Sequence, residues 1–420
     1  MIFLGKKNRK IISKCLKFFL LFMNILFLHR LWPSFGGGET VTKCLASELI
    51  KRGHSVYVLY FKEKRNMSDS VNVDDKVIQN LIPGVSFDEN SSEFFVNQKE
   101  AKYVSHFLVN YVKAKNIDII INQWWPVEYH MDIQIKTKAK IIKCLHMDPD
   151  TRKVLTNIKG IKGSLIRALE PLYRIVERKK HLYSCDKYVT NVDKLVFLAP
   201  SYQDFYVSHT KVKDVKFRTS FVYNPVVYSF KASKEDLINK KKEIIVVGRL
   251  LEKHKQVSRI LEAWNSIDDV RRDDWKLRIV GDGPDRLFYE NIVSSQNIKD
   301  VSFEGFQNPL PFYKNASILL MSSAYEGWPM SIIEAMQNGV AVVAMNTFKS
   351  ASDIIKNGEN GILTSSDILE FSKAIQKLMI NSELRRKLAL NGMYSCSQYS
   401  VEKVVDCWIN LFESLYENEK

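Results

Sequence analysis

The sequence predicts an α/β protein of two Rossmann-like halves facing each other across a cleft. Short, continuously apolar runs that end at glycine or charged loops recur along the chain. Helical patterns alternate with them, and the whole series starts afresh after Asn224-Pro225. Runs apolar at every position mark strands covered on both faces, and their alternation with helices marks a parallel sheet.

The first run, Asn24–Leu28, leads into Ser34-Phe35-Gly36-Gly37-Gly38-Glu39 and then a helix through Arg52, with Val41, Leu45 and Leu49 at helical spacing. Gly53 ends that helix before a strand over Ser55–Tyr60. Strands are expected at Ile117–Ile121, Ala139–Leu145 and Leu195–Leu198, and a basic helix over 157–181. In the second half strands are expected at Glu243–Val247, Leu277–Val280, Ile318–Met321, Val340–Met345 and Gly361–Leu363. Helices are expected over Gln256–Asn265 and from Pro329, and 367–415 reads as mostly helical. The implied division is an extension 1–22, an N-terminal domain 23–212, a linker 213–226, a C-terminal domain 227–395 and a last helix 396–420 packing back on the first domain. Two such halves place a ligand in the cleft between them.

At 420 residues the chain is long enough for two or three separate cores. A composition of 45% hydrophobic and 26% charged residues excludes disorder and low-complexity architectures. The six cysteines are scattered, with no C-x-x-C, which argues against a zinc site or disulfide scaffold and for a reducing compartment. The formal charge of +15 is concentrated: 1–22 carries six Lys/Arg and no acid, and 151–180 carries nine against Glu170 and Glu177. Such clusters suit a polyanion, a membrane surface or a phosphorylated substrate. No nucleic-acid-binding motif accompanies them, so nucleic acid ranks last. The basic start followed by apolar Phe18–Leu28 leaves two readings open, an upstream extension with Met23 as first residue or a membrane-touching helix. The run is too short to span a bilayer.

The chemistry concentrates in Tyr325-Glu326-Gly327-Trp328-Pro329-Met330-Ser331-Ile332-Ile333-Glu334. Pro329 suits the first position of a helix, leaving the amides of Met330 and Ser331 free for an anion or sugar hydroxyls. Glu326 precedes the helix and Glu334 lies within it, so the two carboxylates meet one elongated ligand at separate points. Taken alone, an exposed acid and a structural acid would explain them as well. Arg249 and Lys255 follow a strand end, the edge where α/β sheets bind ligands; alone, they too would read as solvated surface charges. His146 ends a strand on that same edge, with His29 a weaker candidate. Asp148-Pro149-Asp150 spells D-x-D, yet proline between the acids reads as a turn rather than a metal site.

The run EGWPMSIIEAMQNG, with Glu-x7-Glu, resembles the signature of glycosyltransferase family 4, the retaining nucleotide-sugar transferases of the GT-B fold. The glycine loop with Gly37 and Gly38, then KRGHSVYV, VVGRLLEKHKQVSRILEAW, LRIVGDGPDR and VSFEGF, follow the family's order over nearly the whole chain. The resemblance implies a GT-B architecture and a nucleotide-diphosphate sugar donor, UDP-linked in the first instance, with no essential metal and no cofactor. It implies that Arg249 and Lys255 hold the donor diphosphate and that Gly37 and Gly38 approach it from the other domain. The family lysine falls one residue late at Lys255, leaving Lys253 as its substitute. By the same likeness Glu334 takes the ribose hydroxyls, Glu326 and His146 stand by the transferred sugar, and the free backbone amides after Glu326, over Gly327, Trp328, Met330 and Ser331, hold its hydroxyls. The backbone near Phe306-Gln307 aligns with the turn that contacts the base. Ser350–Gly358 departs from the family's Gly-x-x-Glu pattern, which puts donor identity in doubt.

The acceptor expected is a saccharide or lipid-linked saccharide for cell-surface polysaccharide synthesis. The setting expected is the cytoplasm, with 157–181 resting on the anionic inner face of the membrane. Two other functions fit the same fold: a non-catalytic nucleotide-sugar sensor or scaffold, and a nucleotide-sugar epimerase that needs no acceptor.

Overall fold

The computed structural model describes residues 22–34, 37–63, 72–85, 98–150, 161–227, 232–268, 272 and 274–417, without the side chains of 161–168, 170 and 171. The extension 1–21, Gly36 of the glycine loop and Lys159 of the basic segment lie outside the described residues.

The strands are β1 (Asn24–Leu28), β2 (Ser55–Tyr60), β3 (Ile78–Leu81), β4 (Ile119–Asn122), β5 (Lys140–Cys144), β6 (Lys194–Phe197) and β7 (Thr219–Phe221), then β8 (Lys241–Val247), β9 (Lys276–Val280), β10 (Val301–Gly305), β11 (Ala316–Met321), β12 (Ala341–Met345) and β13 (Ile362–Thr364). They form two parallel sheets, ordered β3-β2-β1-β4-β5-β6-β7 and β10-β9-β8-β11-β12-β13. Every residue of β11 and β12 is buried, as a strand between two helical layers requires. In each sheet the order reverses beside the first strand, so the crevice at the carboxyl ends of β1 and β8 is the binding edge. This is the GT-B fold.

Each sheet has a core on both faces. Ile25 and Phe27 point into one core of the first sheet, and Leu26 and Leu28 into the other. Ile318 and Leu320 of β11 join one core of the second sheet, while Leu319 and Met321 join the other. That second core also holds Phe197, Tyr202 and Tyr206 of the first half, so the two halves share apolar packing. The last helix, Val401–Glu417, buries Val404, Val405, Trp408 and Phe412 against the first sheet, among Phe27 and Leu45. Arg52 fastens that helix at its start by donating to the Glu402 carbonyl at 2.9 Å.

Three details depart from the expected pattern. The stretch 213–226 holds β7, because Thr219–Phe221 pairs with β6 and extends the first sheet into the expected linker. The helix expected from Gln256 begins at Val257, after a short helical turn Glu252–Lys255. Gln256 sits between them in the left-handed region, at φ 47°, and Ser322 Oγ contacts the Lys255 and Gln256 carbonyls at 3.0 and 2.8 Å. Pro329 caps its helix rather than opening it, at φ −76° and ψ 83°, and Met330 is the first helical residue.

Candidate functional site

The loop leaving β11 carries Ser322 to Trp328 to the binding edge, and the helix Met330–Gln337 follows. Glu326 meets Lys255 Nζ at 2.5 Å. The path of that lysine depends on Gly248, which ends β8 with φ +154°. A Cβ there would lie 2.9 Å from Lys255 Cε, so any side chain at 248 crowds the lysine stem. Arg249 stands exposed at the next position. His254 packs edge-on against Tyr325 at 4.1 Å, and burial pushes its imidazole down to about 4 despite the pull of Glu326. Lys253, the alternative lysine, is exposed.

Glu334 lies just over one turn into the helix, buried, and accepts a hydrogen bond from the Tyr313 hydroxyl at 2.9 Å. Burial raises its carboxyl from 4.5 to about 7, while Tyr313 and the charge of Lys255 pull it back. A folded pKa above the unfolded one stabilises the fold fully below about 4.5, and that contribution is lost as pH rises through about 7. Expected, therefore, is a fall of about 3 kcal/mol in unfolding free energy across that window from this group. Urea unfolding at pH 4.5 and 8 should show it, and Glu334→Gln should flatten the profile; an unchanged slope in the variant assigns the titration elsewhere.

The facing wall belongs to the first sheet. His146 follows β5, its ring stacked on Trp124 with centroids 4.7 Å apart and its Nε2 against Gln123 Oε1. Burial, then the charge of Lys143, lowers its pKa to about 3, so the ring is neutral at pH 7. Trp124 in turn backs Gly38, where a Cβ would come 3.3 Å from the indole. His29 is fully buried with Nε2 3.0 Å from Thr42 Oγ1, a contact inside the fold. Beneath this wall Lys143 Nζ donates to the Gln123 carbonyl at 3.1 Å and lies 4.8 Å over the Tyr188 ring; burial brings it down to about 7.

Two contacts join the walls. Gly327 has no room for a side chain, since a Cβ would fall 1.8 Å from the His146 carbonyl oxygen. The Tyr202 hydroxyl donates to the Glu326 carbonyl at 2.5 Å and lies 2.9 Å from Ser350 Oγ. The structure thus brings Lys255, Glu326, Gly327 and the His146 backbone together, and Gly38 with the His146 ring through Trp124. Gln307 is exposed after β10, and its side-chain amide donates to the Glu304 carbonyl at 2.6 Å. The Trp328 indole is buried against Tyr223 and Tyr399, with centroids at 4.9 and 5.2 Å.

Sequence reasoning missed Tyr202, Tyr313, Trp124 and His254, which reach the site from elements whose own motifs carry no signal. Asp148-Pro149-Asp150 forms the expected turn, with the Asp150 amide donating to Asp148 Oδ1 at 2.8 Å. Asp150 is held by Arg178 at 2.7 Å and Lys349 at 3.1 Å. Arg178 of the basic helix is therefore turned toward the second half of the chain. Among the described residues no cluster of three or more His, Cys, Asp or Glu is placed to hold a metal.

Residues 229–393 match the family model described as Glycosyl transferases group 1. Over those residues the chain is similar to the group 1 glycosyltransferases. An uncharacterized glycosyltransferase of Haemophilus influenzae is 29% identical over 223 residues, 52% of this chain and 61% of that one. A Campylobacter jejuni relative, named as an alpha-1,4-N-acetyl-D-galactosaminyltransferase of a diNAcBac-PP-undecaprenol-linked saccharide, is 26% identical over 46% of this chain and 54% of its own. The chain thus spans between half and two thirds of these relatives. Among solved structures, Anabaena HepE in complex with UDP and glucose superposes with a TM-score of 0.66 at 15% identity, over 93% of this chain and 100% of that one. The lipopolysaccharide outer core galactosyltransferase WaaB gives 0.63 at 18%, over 94% and 100%. These structural likenesses show the GT-B fold.

Proposed function

We propose that the chain is a retaining, metal-independent transferase of the family 4 type. It would move a sugar from a nucleotide-diphosphate donor, UDP-linked in the first instance, to a saccharide or lipid-linked saccharide acceptor in cell-surface polysaccharide synthesis. The observation that carries this reading is the Lys255–Glu326 pair at the carboxyl edge of β8 and β11, beside Arg249 and facing the His146 wall. Two cations at that edge suit a diphosphate leaving group. Buried Glu334 suits hydroxyls that donate to it, and the amides of Met330 and Ser331 open a helix toward the ligand.

In the step proposed, the C1–oxygen bond to the diphosphate breaks with its electron pair going to the diphosphate. The acceptor oxygen bonds C1 on the same face, and its proton passes to the departing diphosphate. Arg249 and Lys255 balance the charge that develops there. No side chain need act as base, which agrees with a His146 ring held by Gln123.

UDP-, GDP- and ADP-sugars assayed without acceptor test the reading. Slow hydrolysis of one donor, with the anomeric configuration kept and no change on adding EDTA, is the expected result. Donor binding without turnover would favour the sensor, and conversion of the donor sugar to an epimer would favour the epimerase; either result removes the transferase.

A peripheral place on the inner membrane face is part of the proposal. No helix of the described residues is long and apolar enough to cross a membrane. The helix Ile161–Val189 nonetheless exposes Leu169, Leu172, Ile175 and Val176 beside exposed Lys179 and Lys180. An apolar stripe edged by lysines suits an anionic surface. Co-sedimentation with vesicles containing phosphatidylglycerol at low salt should occur and should weaken in Leu172→Ser; no binding at low salt would remove the membrane part.

A further inference from the structure

A second cavity, of about 740 Å³, lies between the helix Ile161–Val189 of the first half and the β12–β13 edge of the second. None of Arg249, Lys255, Glu326 or Glu334 lines it. Its relation to the donor residues is set by one turn of chain: Lys255 is engaged with Glu326, while the next residue, Gln256, lines this cavity. Ala324, two residues before Glu326, lines it as well.

The lining has a definite chemistry. Arg174 comes from the first half and Arg259 from the helix Val257–Asn265 of the second. Asn346, Thr347 and Ser366 add amide and hydroxyl groups, and no carboxylate stands among the described lining residues. Arg259 donates from its terminal nitrogen to the Ser366 carbonyl, while its buried Nε has no hydrogen-bond partner among the described residues. Glu370 accepts the Ser365 N–H at 3.1 Å and so is tied to the chain at the cavity rim. Two guanidinium groups in a partly enclosed space with no acid in its lining favour an anion, and their planar forks match a phosphate. Amides and hydroxyls around them suit a hydroxylated body attached to that phosphate. The volume fits a compound of sugar-phosphate size.

We infer that this cavity binds a phosphate-bearing sugar or polyol, as the anionic end of the acceptor. One arginine on each half makes the ligand a bridge across the cleft mouth, with its far end beside the Glu326 loop. The acceptor role rests on the transferase reading; the binding itself does not.

Calorimetric titration of the full chain with glucose 6-phosphate and glycerol 3-phosphate, with glucose and glycerol as unphosphorylated controls, tests it. Expected is binding of at least one phosphorylated probe, no binding of the controls, and no displacement by UDP. Arg259→Gln and Arg174→Gln should each weaken that binding at least tenfold and leave slow donor hydrolysis and the thermal midpoint at their wild-type values. Arg259 also holds Ser366, and an unchanged thermal midpoint in each variant separates lost binding from lost structure. Failure of both probes to bind, displacement by UDP, or unchanged affinity in both variants would overturn the site. Phosphate binding that depends on both arginines in a chain that turns over no donor would leave the site standing and the transferase reading fallen.

Discussion

Lys255→Ala should lower turnover about 10²- to 10³-fold, the size of loss seen when one preorganised charge donor is removed from a developing anion. The donor's KM should rise by less, because charge on a departing diphosphate is larger in the transition state than in the bound donor. The structure adds a reason to expect non-additivity. Lys255 meets Glu326 at 2.5 Å, so removing either leaves its half-buried partner unbalanced. Lys255→Ala combined with Glu326→Gln should therefore cost less than the product of the two single losses. Lys253→Ala should sit near wild type, since that side chain is exposed while Lys255 carries the contact. Donor hydrolysis and transfer rates across these four variants decide the matter; a larger loss for Lys253→Ala than for Lys255→Ala would move the assignment two residues back along the chain.

Why the sequence read so well at β1, β8, β11 and β12 is a matter of burial. Strands covered on both faces must be apolar at every position, and that pattern survives without any knowledge of neighbours. The strand β3 is exposed at all four residues and β7 has only three, so neither writes such a run. The helix Gln98–Ala114 was legible but went unread: Ala101, Val104, Leu108 and Val112 recur at helical spacing on its buried face. The break at Gln256 was not legible, because the Ser322 hydroxyl that holds it is 66 residues away in sequence. The candidate site divides in the same way. Glu326, Glu334, Arg249 and Lys255 stand in motifs, whereas Tyr202 and Tyr313 are single hydroxyls delivered by tertiary packing.

Gly327→Ala should be severely damaging, for it brings an added methyl closer to fixed backbone than at any other glycine of the described residues. The added carbon would stand 1.8 Å from the His146 carbonyl oxygen and 2.7 Å from its carbonyl carbon. Both belong to backbone at the end of β5, which cannot yield as a flexible side chain would. Relief must come from the loop between Tyr325 and Trp328, or from the two walls moving apart. Trp328 resists the first, being buried against Tyr223 and Tyr399. Tyr202 resists the second, since its hydroxyl spans from the first half to the Glu326 carbonyl and Ser350. Overpacking of this kind costs about 1–3 kcal/mol. A shift of about 1 Å in positioning residues costs roughly 10²-fold in rate. The expected result is thus a turnover loss of roughly 10²-fold with a modest fall in thermal midpoint. Tyr202→Phe in the same background separates the two routes: it frees the walls to part, and should recover stability without recovering rate. Wild-type turnover in Gly327→Ala would mean that the walls do not stand this close in the working protein, and that the site assembles in another arrangement of the two halves.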